Sequence, residues 1–447
     1  MQKIKICYSW IGPRGPIWNT EIPNVLSFAS VAEGSTTTSH NFWADDLWNR
    51  LFSKRKDIFE MYPAISVDID SDEPFIFPYS LTWRIGFENY FCGKTGILEF
   101  SHIPWHLIRL IRMNRGYILI DHSVEAFMNS GHLNSLHGYF RGIHGLPLNK
   151  IIYLTGCMNS KEMYEDYCRQ HNIPDRPEER LTIISYPSSH NIFAVQLTRP
   201  DLIELNGVPE YDTETVPPKV FLMWNRRYRR HRIELALGLE KNNLVDRSHI
   251  SFSKFDLEHP TTTLEGWIDT YLTNNNYLEI TPDVTDRFKN KLPLVLDNET
   301  DVNKMCTDEV NATGDYYKTS LVSIVTETNF DLPELTLTEK SFKPMKHKHP
   351  FIVVGVPGAL KAMRDMGFKT FSDFWDESYD EIADPNMRMR KLVQLTATIG
   401  NWSNDQILDF KRRVKPILDH NYEQLKVPSS DMVVSKLINI VGTPNPV

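Results

Sequence analysis

Cysteine is scarce in this chain of 447 residues: Cys7, Cys92, Cys157, Cys168 and Cys306 are scattered, odd in number, and form no C-x-x-C pair. That pattern argues against a disulfide framework or a cysteine zinc site and reads as reduced thiols in the cytoplasm. No apolar run reaches the roughly 18 residues that a spanning helix needs. The start, Met1-Gln-Lys-Ile-Lys-Ile-Cys-Tyr8, carries no signal-peptide apolar region. A membrane partner is therefore not expected. Positive charge is also short: the formal balance of -8 argues against a dedicated nucleic-acid binder, though a local basic cleft stays open. The glycine-rich signatures of P-loop, dinucleotide and α/β-hydrolase chemistry are missing as well.

What is present is ordinary for a globular protein, with 41% hydrophobic and 24% charged residues. The length favours two or three domains. Short apolar runs predict strands at Lys3–Tyr8, Tyr117–Ile120, Ile151–Leu154, Leu181–Ser185, Val220–Met223, Ile250–Phe252, Leu321–Glu327 and Phe351–Val354. Helical periodicity lies between several of them, at Lys161–His171, Arg232–Lys241, Glu339–Lys346 and Ala359–Met366. That alternation predicts an α/β protein with mainly parallel sheets. Asn206–Lys219, with Gly207, Pro209, Pro217 and Pro218, reads as a linker. The expected division is 1–210, 219–400, and a helix and tail over 401–447 that packs back on the first domain. Within that tail a long helix over Asn404–Gln424 is expected to kink or break at Pro416. The polar stretch from Asp256 to Tyr317 supports no assignment.

Two clusters carry candidate chemistry. Asn225-Arg-Arg-Tyr-Arg-Arg-His-Arg232 is the densest positive charge and falls between a strand and a helix. Backbone N–H groups and the helix dipole favour phosphate at such a place, and arginine forks suit its oxygens. A solvated basic face or a nucleic-acid contact are the competing readings. The second cluster is Glu327, Thr338, Glu339, Lys340 and Lys343. Lys340 and Lys343 are three apart, so an anion between them would relieve their repulsion. Thr338 caps the helix and Glu339 suits its first turn, which is the plain explanation of both. Glu327 or Glu339 is otherwise an acceptor for ribose or sugar hydroxyls, and Lys340 a stabiliser of a leaving diphosphate. Asp121, His122 and Glu125, after a strand end, are candidates for a general base, although Asp121 also fits a cap. Asp68-Ile-Asp70-Ser-Asp72 could hold a divalent cation through oxygen ligands, or be an acidic turn; Glu73 stands where an EF-hand needs glycine. His347-Lys-His349 lacks further spaced ligands.

Val325-Thr-Glu327, Thr338-Glu-Lys340 and an apolar strand ending at Gly355 resemble the donor-binding signature of the alpha-1,3-fucosyltransferases. Phe221–Arg232 resembles the strand, Asn and helix-borne Arg that open their donor domain. Lys219 to Lys391 also resembles a group of phage-encoded proteins assigned as glycosyltransferases. The shared blocks are N-R-R-x-R-x-H-R, T-E-K-[ST]-F-K-P, and G-F-K-T-F with D-E-S-Y-D, here Gly367 to Phe371 and Asp376 to Asp380. Thr328 replaces the family's Asn and Leu337 its aromatic, so fucose is not implied.

The resemblance implies two Rossmann-like domains facing a cleft, the GT-B arrangement. It implies a nucleotide-sugar donor held by Asn225, Arg226, Arg227, Arg232, Glu327, Thr338, Glu339, Lys340 and Lys343, with no metal required. The expected activity moves a sugar to a hydroxyl acceptor, either a hydroxymethylated pyrimidine in phage DNA or a surface glycan, in an infected cell's cytoplasm. A non-catalytic nucleotide-sugar or nucleic-acid binding module is the rival. Neither the base nor the stereochemical course follows from these residues.

Overall fold

In a computed structural model, ten short apolar strands among the described residues form two parallel sheets, and Ile11–Gly12 pairs antiparallel with Gly15–Pro16. The structure describes residues 3–8, 11–12, 15–16, 51–52, 55–63, 66–68, 73–80, 103–123, 128–198, 209–225, 227–252, 263–274, 276–296 and 315–442. Asp70, Asp72, Glu125 and Arg226 lie outside them.

The first sheet contains β1 (Ile4–Tyr8), β2 (Phe59–Pro63), β3 (Phe75–Ser80), β4 (Tyr117–His122), β5 (Ile151–Thr155) and β6 (Thr182–Ser185). Their spatial order is β2-β1-β3-β4-β5-β6, parallel throughout. β4 and β5 are buried along their whole length, as a parallel sheet covered on both faces requires. Alternate side chains serve opposite cores. Ile118, Ile120, Ile151 and Tyr153 join Leu107, Ile111 and Phe140 in one, while Leu119, Ile152 and Leu154 join Val433, Val434 and Leu437 in the other.

The second sheet contains β7 (Lys219–Trp224), β8 (His249–Ser251), β9 (Ser320–Thr326) and β10 (Phe351–Val354), in the order β8-β7-β9-β10. It too is parallel. The fold class read from the sequence, α/β with two Rossmann-like halves, is the one observed.

The division differs from the expected one. One unit comprises Met1–Ser188 with Ser429–Val447, and the other Ser189–Pro428. Helix Asn404–Leu425 belongs to the second unit, where Phe410 packs on Trp375 and Asn421 bonds the backbone of Lys369. Of the expected tail, it is helix Ser429–Val441 that packs on the first sheet. Pro416 does not end its helix. A Ser403/Gln406 capping box and a buried stripe of Ile407, Phe410, Val414, Leu418 and Tyr422 hold it despite the lost N–H. The stretch without an assignment holds helices Leu264–Asn274 and Pro282–Asn290.

From β7 the chain goes to β8 on one side, then crosses to β9 on the other. The order therefore reverses between β7 and β9, and open α/β sheets bind ligands outside the carboxyl ends of such a pair. Those ends are Trp224-Asn225 and Thr326-Glu327.

Candidate functional site

Asn225 closes β7 and is 3% exposed. Its backbone N–H bonds Ser251 O and Oγ at 3.2 and 3.0 Å, which ties it to β8. Its Oδ1 accepts from Thr326 Oγ1 at 2.6 Å, which ties it to β9. Its amide nitrogen finds no acceptor among the described residues. A buried donor without a partner costs on the order of 1–3 kcal/mol unless something meets it. A ligand oxygen between β7 and β9 would.

The helices that follow β7, β9 and β10 differ at their amino ends. Glu327, 1% exposed, closes the end of helix Glu339–Lys346. Its Oε1 accepts from Thr338 N (2.9 Å) and Ser341 Oγ (2.5 Å), and its Oε2 from Thr338 Oγ1 (2.7 Å) and Thr328 N (3.2 Å). Asp380 does the same for helix Ala359–Asp365, accepting from Leu360 N and Lys361 N at 3.0 and 3.1 Å. Helix Arg230–Lys241, which follows β7, has Arg229 at its N-cap and no side chain capping it. Of the three positive helix ends, two are occupied by the chain's own carboxylates and the third is open.

The cations divide in the same way. Lys340 lies 2.6 Å from Glu339 Oε1 and 3.4 Å from Thr338 Oγ1, with its side chain partly exposed. Burial alone would lower its pKa; Glu339 and then Glu327 outweigh that and raise it, so the ammonium stays charged. Burial would likewise raise Glu339, yet Lys340 and Lys343 hold it below its ordinary range. Arg227 is exposed and lies beside the open helix end.

Several expected donor contacts are placed elsewhere. Glu327 has both oxygens filled by protein donors, so it positions Thr338 and Lys340 and does not meet ribose itself. Arg232 is buried and gives Nη1 to Arg227 O (3.1 Å) and Nη2 to Thr326 O (3.2 Å), bracing the loop after β7. Lys343 does not share an open face with Lys340: it is buried, with Nζ 4.9 Å from the Trp224 ring centroid. The residue that sequence reasoning passed over is His231. Its Nε2 donates to Glu327 O at 2.9 Å and its ring stacks on Phe330, whose other contact is the Arg388 guanidinium. Burial, reinforced by Arg232, pushes His231 down to about 3, so it is neutral. It sat inside the basic run, where it read as one more charge.

In the first unit, Asp121 and His122 do stand at the end of β4, but both are buried. Asp121 Oδ1 accepts from Ser123 N at 3.0 Å, the turn-capping alternative. His122 Nδ1 lies 2.9 Å from Tyr153 Oη, and burial, with His132 nearby, lowers its pKa to about 3. Neither reaches solvent, so neither is placed to take a proton from an acceptor. Asp68 is exposed, and among the described residues no group of three His, Cys, Asp or Glu is placed to hold a metal. His349 is a buried rivet to Ser323 Oγ (2.8 Å) and Ser320 O (2.9 Å), while His347 stacks on Tyr317. The Gly367–Asp380 blocks are structural: Glu377 accepts from Phe371 N, Asp376 pairs with Lys391, and Asp380 caps as described.

No protein-family model matches the chain, and no curated protein matches it. Among solved structures it is similar to a UDP-forming alpha,alpha-trehalose-phosphate synthase from Burkholderia xenovorans, at 10% identity and TM-score 0.38, over 85% of this chain and 75% of that one. It is similar to the N-terminal domain of Candida albicans trehalose-6-phosphate phosphatase, at 11% identity and TM-score 0.42, over 83% and 70%. A third is an alpha,alpha-trehalose-phosphate synthase from Burkholderia vietnamiensis, at 10% identity and TM-score 0.38, over 83% and 95%. Likeness this low assigns neither a family nor a substrate.

Proposed function

We propose that the second unit binds a nucleotide-sugar at the carboxyl ends of β7 and β9, and that the chain is a glycosyltransferase. The observation that carries this reading is the unpartnered amide nitrogen of Asn225 beside the amino end of helix Arg230–Lys241, which no described side chain caps. Both are donors awaiting an anionic or carbonyl oxygen, at the reversal point of the sheet. Lys340 supplies one positive charge and the exposed Arg227 a second. Glu339, held ionised, can accept from a sugar or ribose hydroxyl. On transfer, the acceptor oxygen bonds the anomeric carbon as the bond from that carbon to the diphosphate oxygen breaks. The leaving diphosphate keeps the electron pair, and the charge that grows there is met by Lys340 and the helix end. The acceptor's proton passes to a base or to water. The acceptor class is a hydroxyl, with hydroxymethylated DNA or a glycan as the candidates.

The burial of Asp121 and His122 favours one rival, a binding module without turnover. Release of free nucleotide from UDP-, GDP- and CMP-sugars separates the two, measured with hydroxymethylated duplex DNA or an oligosaccharide as acceptor. Acceptor-dependent release from one donor supports the enzyme. Donor binding without release under any acceptor would leave the binding module.

A further inference from the structure

The first unit carries an exposed apolar and basic stripe. Helix Trp105–Arg112 buries Leu107, Ile108, Leu110 and Ile111 in the core. Trp105, Arg109, Arg112 and Met113, spaced i, i+4, i+7, i+8, form its outward line. Trp105 is 62% exposed and Met113 52%. The stripe continues into the end of a π-helical segment, Gly138–Ile143, where Ile143 is 63% exposed. Arg112 joins the two parts: its guanidinium lies 5.0 Å from the Trp105 ring centroid and its Nε donates to His144 O at 2.6 Å. The helix ends just before β4 begins, so the stripe flanks the strand starts, away from Asp121 and His122. Residues 103–116 and 128–150 contain no Asp or Glu, although the chain as a whole is acidic.

We infer that this stripe docks on an anionic lipid bilayer. Each component has a part in that contact. Trp105 suits the headgroup boundary, Ile143 and Met113 enter the acyl edge, and Arg109 and Arg112 meet lipid phosphates. A nucleic acid would use the tryptophan and the arginines but leave two aliphatic side chains in water. The contact is superficial, since the helix's own apolar face is committed to the core and no described helix is long and apolar enough to span. It is independent of the donor site.

The test is co-sedimentation of the full chain with phosphatidylcholine vesicles, with and without phosphatidylserine. Pelleting only with the anionic vesicles, weakened by salt, is expected. Arg109→Glu and Ile143→Ser should each lower the partition coefficient on the order of tenfold. Both side chains are exposed, so the thermal midpoint should not move; Arg109→Gln and Ile143→Ala serve if it does. No pelleting, or pelleting unaffected by these changes, overturns the inference. So does single-stranded DNA binding that Trp105→Ala abolishes and anionic vesicles do not compete.

Discussion

At the scale of single residues, Glu327 decides how the site is organised. Its two oxygens receive four protein donors, two of them on Thr338, so it fixes the segment that presents Glu339 and Lys340. In Glu327→Gln, one amide N–H must face a donor that it now repels. The expected loss is about 1–3 kcal/mol of stability, read by urea denaturation. Nucleotide affinity should weaken as well, because Lys340 loses its support. An unchanged midpoint would mean that the clasp is incidental. The sequence placed Glu327, Thr338, Glu339 and Lys340 together correctly, because a strand end and a helix start are legible locally. It did not show which oxygens the fold would already occupy. Arg232 illustrates the same limit: its charge was visible, but not that three backbone carbonyls lie within its reach.

At the scale of elements, helix Arg230–Lys241 must lie close to helix Pro385–Gly400 for its open end to reach the sheet edge. Gly238 makes that approach possible: a Cβ there would fall 2.5 Å from Val393 Cγ2. Gly238→Ala gains about 1 kcal/mol in helix propensity. The clash should exceed that gain, giving a net loss of about 1–3 kcal/mol. Val393→Ala in the same chain should recover part of it, whereas additive losses would show that the two do not meet. Asp380 is a second element-scale device. Asp380→Ala uncaps helix Ala359–Asp365 and should cost about 0.5–2 kcal/mol by denaturant titration. The strands of the second unit, and helices Arg230–Lys241, Glu339–Lys346, Ala359–Asp365 and Asn404–Leu425, could be read from their apolar periods, whereas helix Pro385–Gly400 went unassigned. Helices Leu264–Asn274 and Pro282–Asn290 could not, because only Leu264, Ile268, Tyr271, Val284 and Phe288 supply buried apolar faces within polar runs.

At the scale of the whole molecule, burial keeps several of the described histidines neutral. His122, His231 and His347 are lowered to about 3, and His132, His137, His190 and His349 to about 4, in each case first by burial. In the unfolded chain these rings take up protons near pH 6.5. Between that value and their folded values the unfolded state binds more protons, so stability must fall as pH falls. Glu234, Glu377 and Asp380 are raised by burial and act in the opposite sense, closer to carboxylate pKa values. Urea midpoints should therefore decline from about pH 7 to about pH 5.5, a window that histidine dominates. A flat profile would contradict the burial. The unit boundary was the part of the architecture least visible in sequence. The chain returns to its first sheet only after Pro428, and nothing in the apolar period of Ser429–Val441 says which core it joins.

The central claim is that a nucleotide-sugar occupies the ends of β7 and β9. Calorimetric titration of UDP-, GDP- and CMP-sugars into the wild-type chain and into Lys340→Met tests it most directly. Saturable binding of one donor is expected, weakened roughly ten- to a hundredfold by the substitution, as loss of a charged contact implies. No binding of any donor, or equal binding by both proteins, would contradict it.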